Sequence, residues 1–306
     1  MAKKHTLPPI IAIVGPTASG KTSLSIALAE RFNGEIISAD SRQIYRGMDI
    51  GTAKATSAEQ AAVLHHLIDI KDPDEDYTVA DYQRDAVASI RDIIARGRIP
   101  FLVGGTGLYV RAVVLNLDIP HIKPDPGLRE AIEREIKTEG LAAVFQKLVA
   151  RDPEAEYIVD PKNPRRVVRA LEVAITTGEP FTAQRRQKPP LFEILELGID
   201  PSFELLRTRI GTRIDQMMAE GLVDEVRTLV DRYGADIPAL DAIGYREIVG
   251  FLRGAYPLDE AVALMKTNTV RYAKRQMTWF RKDKDIRWLK NPDDAAPLVA
   301  AFFAKR

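Results

Sequence analysis

Over the first third of the chain, short runs of consecutive apolar residues alternate with longer stretches in which apolar residues recur every three or four positions. The runs predict strands at 10–14, 35–38, 66–70 and 99–103, and the periodic stretches predict helices at 20–32, 57–65 and 78–96. The 10–14 run is continuously apolar, so both of its faces are expected to be covered. The implied fold class is α/β: a parallel sheet flanked by helices, whose ligands bind beyond the C-terminal ends of the strands, and the G-x-x-x-x-G-K-T motif at 15–22 makes it P-loop NTPase-like. The texture changes at 116–126, where Pro120, Pro124 and Pro126 mark a boundary. Helical spacing then dominates at 127–150, 153–158 and 163–177, and Pro189-Pro190 closes that stretch. Strand character returns at 191–200, followed by a long helical pattern at 202–232 and a turn entering a helix at 242–247. The expected organisation is an α/β core from 1–115 and 191–306, with a helical insertion at 116–190.

Composition narrows this picture only a little. The chain has 306 residues, 45% apolar and 28% charged, as expected of a globular protein with a sizeable core. A net charge of +1 supplies no global field toward nucleic acid, so any such attraction must be local. There is no cysteine, which excludes disulfides and thiolate metal sites and is compatible with a reducing cytoplasm. The N-terminal Met1–Pro9 stretch has the charge of a signal peptide, but the apolar run after it is too short. No stretch approaches the length of a membrane span, so no membrane partner is expected. The four histidines form no metal-like cluster, and solvated or capping roles are expected for them.

The chemistry begins at Gly15-Pro16-Thr17-Ala18-Ser19-Gly20-Lys21-Thr22, which fits G-x-x-x-x-G-K-[ST] at every fixed position. A predicted strand precedes it and a predicted helix follows, so backbone N–H groups and a helix N-terminus would face an anion. Lys21 would reach phosphate oxygens and the Thr22 hydroxyl would ligate Mg²⁺. Asp40 leaves the second strand at the same sheet edge. It suits a general base or a carboxylate near Mg²⁺, and equally a turn or cap aspartate. Gly104-Gly105-Thr106-Gly107 repeats the strand–glycine–helix order without a lysine. Its glycines would admit a ligand to the backbone or let helix pack on sheet; its place at that edge favours the former.

Basic residues gather in three places. Arg165, Arg166 and Arg169 share a helix, with Arg185, Arg186 and Lys188 soon after. Arg209 and Arg213 are spaced to point one way, either clamping an anion or pairing with Glu204 and Asp215. Arg271, Lys274, Arg275, Arg281 and Lys282 form a stripe with Tyr272, Met277, Trp279 and Phe280 beside it. Such a stripe suits nucleic-acid phosphates, or a solvated face of a helix that packs Trp279 and Phe280 on the core. On pattern alone, a kinase or other ATP-using NTPase competes with a transferase that uses a diphosphate donor.

Larger motifs separate these classes. GPTASGKT (15–22), ISADSRQIY (37–45), MDIGTAK (48–54), VGGTGLY (103–109), NPRRVVRALE (163–172), IGYR (243–246) and KRQMTWFR (274–281) occur in this order. With them the chain closely resembles the bacterial tRNA dimethylallyltransferases from about residue 10 to 290. The resemblance implies transfer of a dimethylallyl group from dimethylallyl diphosphate to the exocyclic amine of the adenine just 3′ of the anticodon. It implies Mg²⁺ as cofactor, the tRNA anticodon stem-loop as partner, a cytoplasmic setting and a monomer. The runner-up is a P-loop kinase, or a transferase acting on free adenine nucleotides.

The resemblance also assigns residues. Gly15 to Thr22 would hold diphosphate, with Thr22 on the metal. Asp40, Thr106 and Arg209 would be catalytic, with Arg209 favoured over Arg213 as the arginine on the leaving group. The tRNA contacts would be Asp40, Ser41, Arg42, Gln43, Thr106 and Arg129. Arg165, Arg166, Val167, Val168 and Arg169 of the insertion would join them. So would Asp241, Ala242, Ile243, Gly244, Tyr245 and Arg246, and finally Lys274, Arg275, Gln276, Met277, Thr278, Trp279, Phe280 and Arg281.

Overall fold

A computed structural model describes residues 7–119, 125–185 and 187–304. These fall into two compact units. One comprises the chain up to Val114 and from Pro190 onward; the other is Leu115–Pro189.

The larger unit is built on a parallel six-stranded sheet. Its strands are β1 (Pro9–Val14), β2 (Gly34–Ser38), β3 (His65–His66), β4 (Ile99–Gly104), β5 (Glu193–Ile199) and β6 (Arg287–Leu289), in the order β3-β2-β4-β1-β5-β6. The β1 run is apolar throughout because successive residues enter different cores. Ile11 and Ile13 pack with Leu28 of α1 (Lys21–Arg31), while Ile10, Ala12 and Val14 pack on the opposite face. Helix α2 (Ser57–Ala62) precedes β3, and both it and α3 (Val79–Ala95) start with capping boxes, from Thr56 and Thr78. Helix α4 (Gly107–Val114) follows β4 and lies against α3, where Tyr82 and Tyr109 stack 3.9 Å apart.

Three expected lengths are corrected in the larger unit. The 57–65 helix ends at Ala62, since Val63 turns to extended backbone and His65 joins the sheet. The 66–70 strand stops at His66 because Leu67 and Asp69 turn to positive φ, 61° and 54°. Leu67 then enters the core and the Asp69 carboxylate meets Lys54. The 202–232 helix is two: α9 (Phe203–Ala219) and α10 (Leu222–Tyr233), broken at Gly221 with φ 100°. They form a third apolar cluster with α11 (Tyr245–Leu252) and α12 (Leu258–Phe280). Helix α13 (Ala295–Ala304) covers the Ile11/Ile13 face of the sheet.

The smaller unit contains α5 (Pro126–Glu139), α6 (Leu141–Arg151), α7 (Ala155–Ile158) and α8 (Pro164–Thr177) around its own core of Val144, Leu148, Val167 and Leu171. The expected 127–150 helix breaks at Gly140, φ 88°. Pro120 and Pro124 of the boundary stretch, His121, His5 and Arg186 lie outside the described residues. Of the remaining histidines, His65 hydrogen-bonds the Val63 carbonyl and His66 the Glu35 carboxylate. Among the described residues no helix is long and apolar enough to cross a membrane.

Gly34 opens β2 where the fully buried Phe101 ring crosses the backbone. A Cβ there would stand 2.3 Å from the ring and 2.7 Å from the Ile99 carbonyl. Gly34→Ala is expected to lower stability by about 1–3 kcal/mol, measured by denaturant unfolding, because β4 and Phe101 must shift together.

Candidate active site

The strands β1, β2, β4 and β5 end at one edge, and the loops leaving them build the site. After β1 the chain turns through Gly15–Gly20 into α1. Ala18 and Gly20 both take positive φ, 61° and 96°, which turns the loop back on itself before the helix begins. Lys21 Nζ donates to the Pro16 carbonyl at 2.6 Å. The Ser19 hydroxyl is buried, and among the described residues it is the one buried side-chain polar atom with no hydrogen-bond partner. An unpaired buried hydroxyl costs free energy unless something accepts or donates there, and a phosphate oxygen in the loop would do so.

Two arginines of α9 approach this loop. Arg209 donates to the Ser19 carbonyl at 3.4 Å. Arg213 is more buried, and burial lowers its pKa; its charge also bears on Lys21. The expected alternative pairing of these arginines with Asp215 is not made; Asp215 pairs with Lys266 at 2.6 Å. The structure brings both arginines to the cradle and does not single out Arg209.

Asp40 follows β2. Its Oδ1 accepts the Arg42 N–H at 2.9 Å, and its charge is felt by Lys21 and by Tyr272 of α12. Both the cap-like turn and the site position are therefore present in one residue. Thr106 Oγ1 accepts the Ser41 N–H at 3.1 Å, and the Thr106 N–H donates to the Ala39 carbonyl. Tyr272, whose pKa burial pushes up to about 12, also interacts with Thr106. In the sequence Tyr272 stands out only among the apolar contacts of the basic stripe; its approach to Asp40 needs the fold.

The glycines of the second turn have protein packed where a side chain would stand. A Cβ on Gly104 would lie 2.1 Å from the Ala39 carbonyl oxygen, on Gly105 2.3 Å from Gln276 Nε2, and on Gly107 2.2 Å from the Trp279 ring. All three exist for close packing of protein on protein. Gln276 is likewise corrected from an RNA contact to an internal bridge. Its Oε1 accepts the Thr17 N–H and its Nε2 donates to the Gly105 carbonyl, both at 2.9 Å.

Other expected RNA contacts are also buried. Val167 and Val168 pack in the core of the smaller unit; Ala242 and Tyr245 pack under α10; Met277 and Phe280 face inward from α12. The Gly244 N–H is taken by Glu247 at 2.7 Å. Arg129 and Arg169 are both committed to the fully buried Glu172, at 2.9 and 2.7 Å. Lys188 pairs with Asp118, Arg246 with Glu247 and Arg281 with Asp200. Arg42 donates to the Pro238 and Ala239 carbonyls. Arg165, Arg166, Asp241, Lys274, Arg275, Thr278 and Trp279 remain exposed, and Ser41, Gln43 and Ile243 are half-buried. Lys274 lies 4.2 Å over the Phe203 ring and Arg275 5.7 Å over Tyr272.

Burial pulls the Lys21 ammonium down to about 8; Asp40 opposes the shift and Arg213 adds to it. Affinity for inorganic diphosphate is therefore expected to fall as pH rises through about 8, as the empty cradle loses this charge. A bound anion favours protonated Lys21, so at about pH 8.5 binding takes up more protons in the wild type than in Lys21→Met, a difference in which the diphosphate's own ionisation cancels. Calorimetry in buffers of different ionisation enthalpy checks this, and equal uptake by the two proteins would count against it. Stability of the empty protein has the opposite sign. From about 8 up to the ordinary 10.5 the unfolded lysine holds a proton that the folded one has released, so stability rises with pH.

Comparison with known proteins bears on the whole chain. The family model for IPP transferases matches residues 43–283, and that for isopentenyl transferases matches residues 8–71. A tRNA dimethylallyltransferase of Roseiflexus sp. (strain RS-1) is 50% identical over 291 residues, 95% of each chain. One from Halalkalibacterium halodurans is 47% identical over 93% of this chain and 91% of its own. The crystal structure of a tRNA isopentenylpyrophosphate transferase from Bacillus halodurans is similar with a TM-score of 0.71 at 44% identity, covering 97% of this chain and 96% of that one. A eukaryotic dimethylallyltransferase acting on tRNA gives a TM-score of 0.83 at 28% identity, covering 98% of this chain and 80% of that one. By its family match, its sequence identity and its fold, the chain belongs to the tRNA dimethylallyltransferase family.

Proposed function

We propose that this protein transfers a dimethylallyl group from dimethylallyl diphosphate to the exocyclic amine of the adenine 3′ of a tRNA anticodon, releasing diphosphate. The observation that carries this reading is the meeting, at one sheet edge, of a cationic loop with an unpaired Ser19 hydroxyl and the Asp40 carboxylate. Family membership names the two substrates that such an edge would join.

Lys21, Arg209, Arg213 and the N-terminus of α1 hold the diphosphate and stabilise the charge it gains as the allylic C–O bond breaks. The amine nitrogen forms the new C–N bond. Asp40 takes the proton that the amine loses, through Oδ2, since Oδ1 is held by the Arg42 N–H. Thr106 holds the Asp40 turn through the Ser41 N–H. A stacked anticodon base cannot reach this edge, so the adenine is unstacked on binding. The hydroxyl of Thr22, at the start of α1, and the oxygen-rich diphosphate form a donor set suited to Mg²⁺. Bound there, Mg²⁺ would neutralise part of the leaving group's charge.

Arg165 and Arg166 of the insertion and Lys274 and Arg275 of α12 are exposed cations on helices, suited to anticodon-stem phosphates. We propose a monomeric, cytoplasmic enzyme as its setting. A kinase acting on free nucleotides is not favoured by the family membership.

Asp40→Ala is expected to lower turnover by ~10²–10⁴-fold while diphosphate still binds. Near-normal turnover with unmodified tRNA, dimethylallyl diphosphate and Mg²⁺ would refute the role, and product from ATP and AMP instead would refute the function. Reversing charge at Arg165 and Arg166, or at Lys274 and Arg275, is expected to weaken tRNA binding. The slope of log affinity against log salt should become shallower by ~1 for each phosphate that is no longer neutralised. Unchanged affinity would make these residues ordinary solvated faces.

A further inference from the structure

The loop that continues from the Asp40 turn, residues 44–54, has no regular structure beyond turns and an isolated bridge, yet it is fastened at both ends. Met48 and Ile44 are buried under α9–α12. Three consecutive backbone N–H groups, of Asp49, Ile50 and Gly51, point at one carboxylate, Glu225 of α10, at 3.0, 2.7 and 3.1 Å. Oε2 accepts the first two; Oε1 accepts the third and also the Tyr245 hydroxyl at 2.7 Å. Gly51 lies flat against the Tyr245 ring, where a Cβ would come within 2.5 Å. Successive N–H groups around a carboxylate make an anion-binding nest, and this nest is filled by the protein's own side chain.

The nest connects directly to the substrate turn. Gln43 Nε2 donates to the carbonyls of Thr52 and Ala53, at 3.4 Å each, and Gln43 Oε1 accepts the Ser38 hydroxyl at 2.9 Å. The two carbonyls that orient the Gln43 amide thus follow the nest without a break in the chain. Lys54 closes the loop behind them: its buried ammonium meets Asp49 and Asp69 at 2.5 Å each and the Tyr45 carbonyl at 2.8 Å. None of these bonds touches the phosphate cradle.

We propose that Glu225 is a positioning residue for the nucleobase side of the reaction. Its carboxylate holds the 49–51 backbone so that the 52–53 carbonyls orient Gln43 beside Asp40. The inference rests on the proposed function, in which the Asp40–Gln43 turn receives the adenine. Both Glu225 oxygens face only donors, so an amide at this position turns an N–H toward an N–H or O–H and opens the nest, with almost no change in volume.

Glu225→Gln is therefore expected to raise KM for tRNA and to lower kcat by ~10-fold or more, since small displacements of a reacting group are costly. Affinity for dimethylallyl diphosphate should stay within about twofold of wild type. Amide hydrogen exchange should speed up over residues 40–53 and not over 15–22. Tyr245→Phe, which removes one of the four donors, should move the same quantities less, and it serves if Glu225→Gln does not fold. A lower melting temperature with unchanged kinetics, or equal losses for tRNA and dimethylallyl diphosphate, would overturn the inference. Asp40→Ala measured alongside separates the failures. Normal turnover of Asp40→Ala overturns the reading on which the inference rests, whereas an inactive Asp40→Ala beside a kinetically normal Glu225→Gln overturns the inference alone.

Discussion

The turns that leave β1 and β4 stand side by side, and one buried amide sets the distance between them. Gln276 accepts the Thr17 N–H at one end and donates to the Gly105 carbonyl at the other. A planar amide offers an acceptor and a donor at a fixed separation; glutamate would lose the donor and leucine both. Each backbone group left unpaired would cost about 1–3 kcal/mol. Trp279, one turn further along α12, lies on Gly107. A helix from near the end of the chain thus shapes the phosphate loop from near its start, and the cradle's form depends on that long-range contact.

Charge is treated differently in and away from the site. Elsewhere several buried charges are paired: Glu35 with Arg96 and His66, Lys54 with Asp49 and Asp69, Glu172 with Arg129 and Arg169. Glu196 differs: burial, with Asp283 and Asp285 nearby, pushes its pKa up to about 7. The Arg96 hydrogen bonds hold the Glu35 carboxyl below its ordinary range, so this pairing stabilises the fold at neutral pH and weakens as acid protonates it. At the cradle, Lys21, Arg209 and Arg213 converge, and the Asp40 carboxylate only partly opposes the effect of burial on Lys21. Burial there lowers the pKa of Lys21 and of Arg213. Cations held this way are costly in the empty protein and favour an anionic ligand.

Local chemistry is readable without the fold. The strand–loop–helix order around Lys21 and the place of Asp40 after β2 follow from short-range pattern, because a phosphate loop is made by adjacent residues. Helix ends are less readable. Gly140 and Gly221 are compatible with continuing a helix and break it only because their backbones turn to positive φ. Gly104, Gly105 and Gly107 mislead for a related reason: a missing Cβ is visible in the sequence, but the neighbour that fills its space is not. Taking whole motifs as RNA contacts fails for Val167, Val168, Tyr245 and Met277, because an amphipathic helix carries buried and exposed residues in one motif.

The amino-acid order alone determined the parallel α/β class, the anion-binding loop and the family resemblance, since each rests on neighbours in the chain or on motif order. Tertiary structure decided which charges converge, which glycines admit a ring, and that Gln276 and Glu225 serve distant backbone rather than solvent or RNA. Those choices depend on partners distant in the chain, for Gln276 and Glu225 more than a hundred residues away, across which no local spacing carries information.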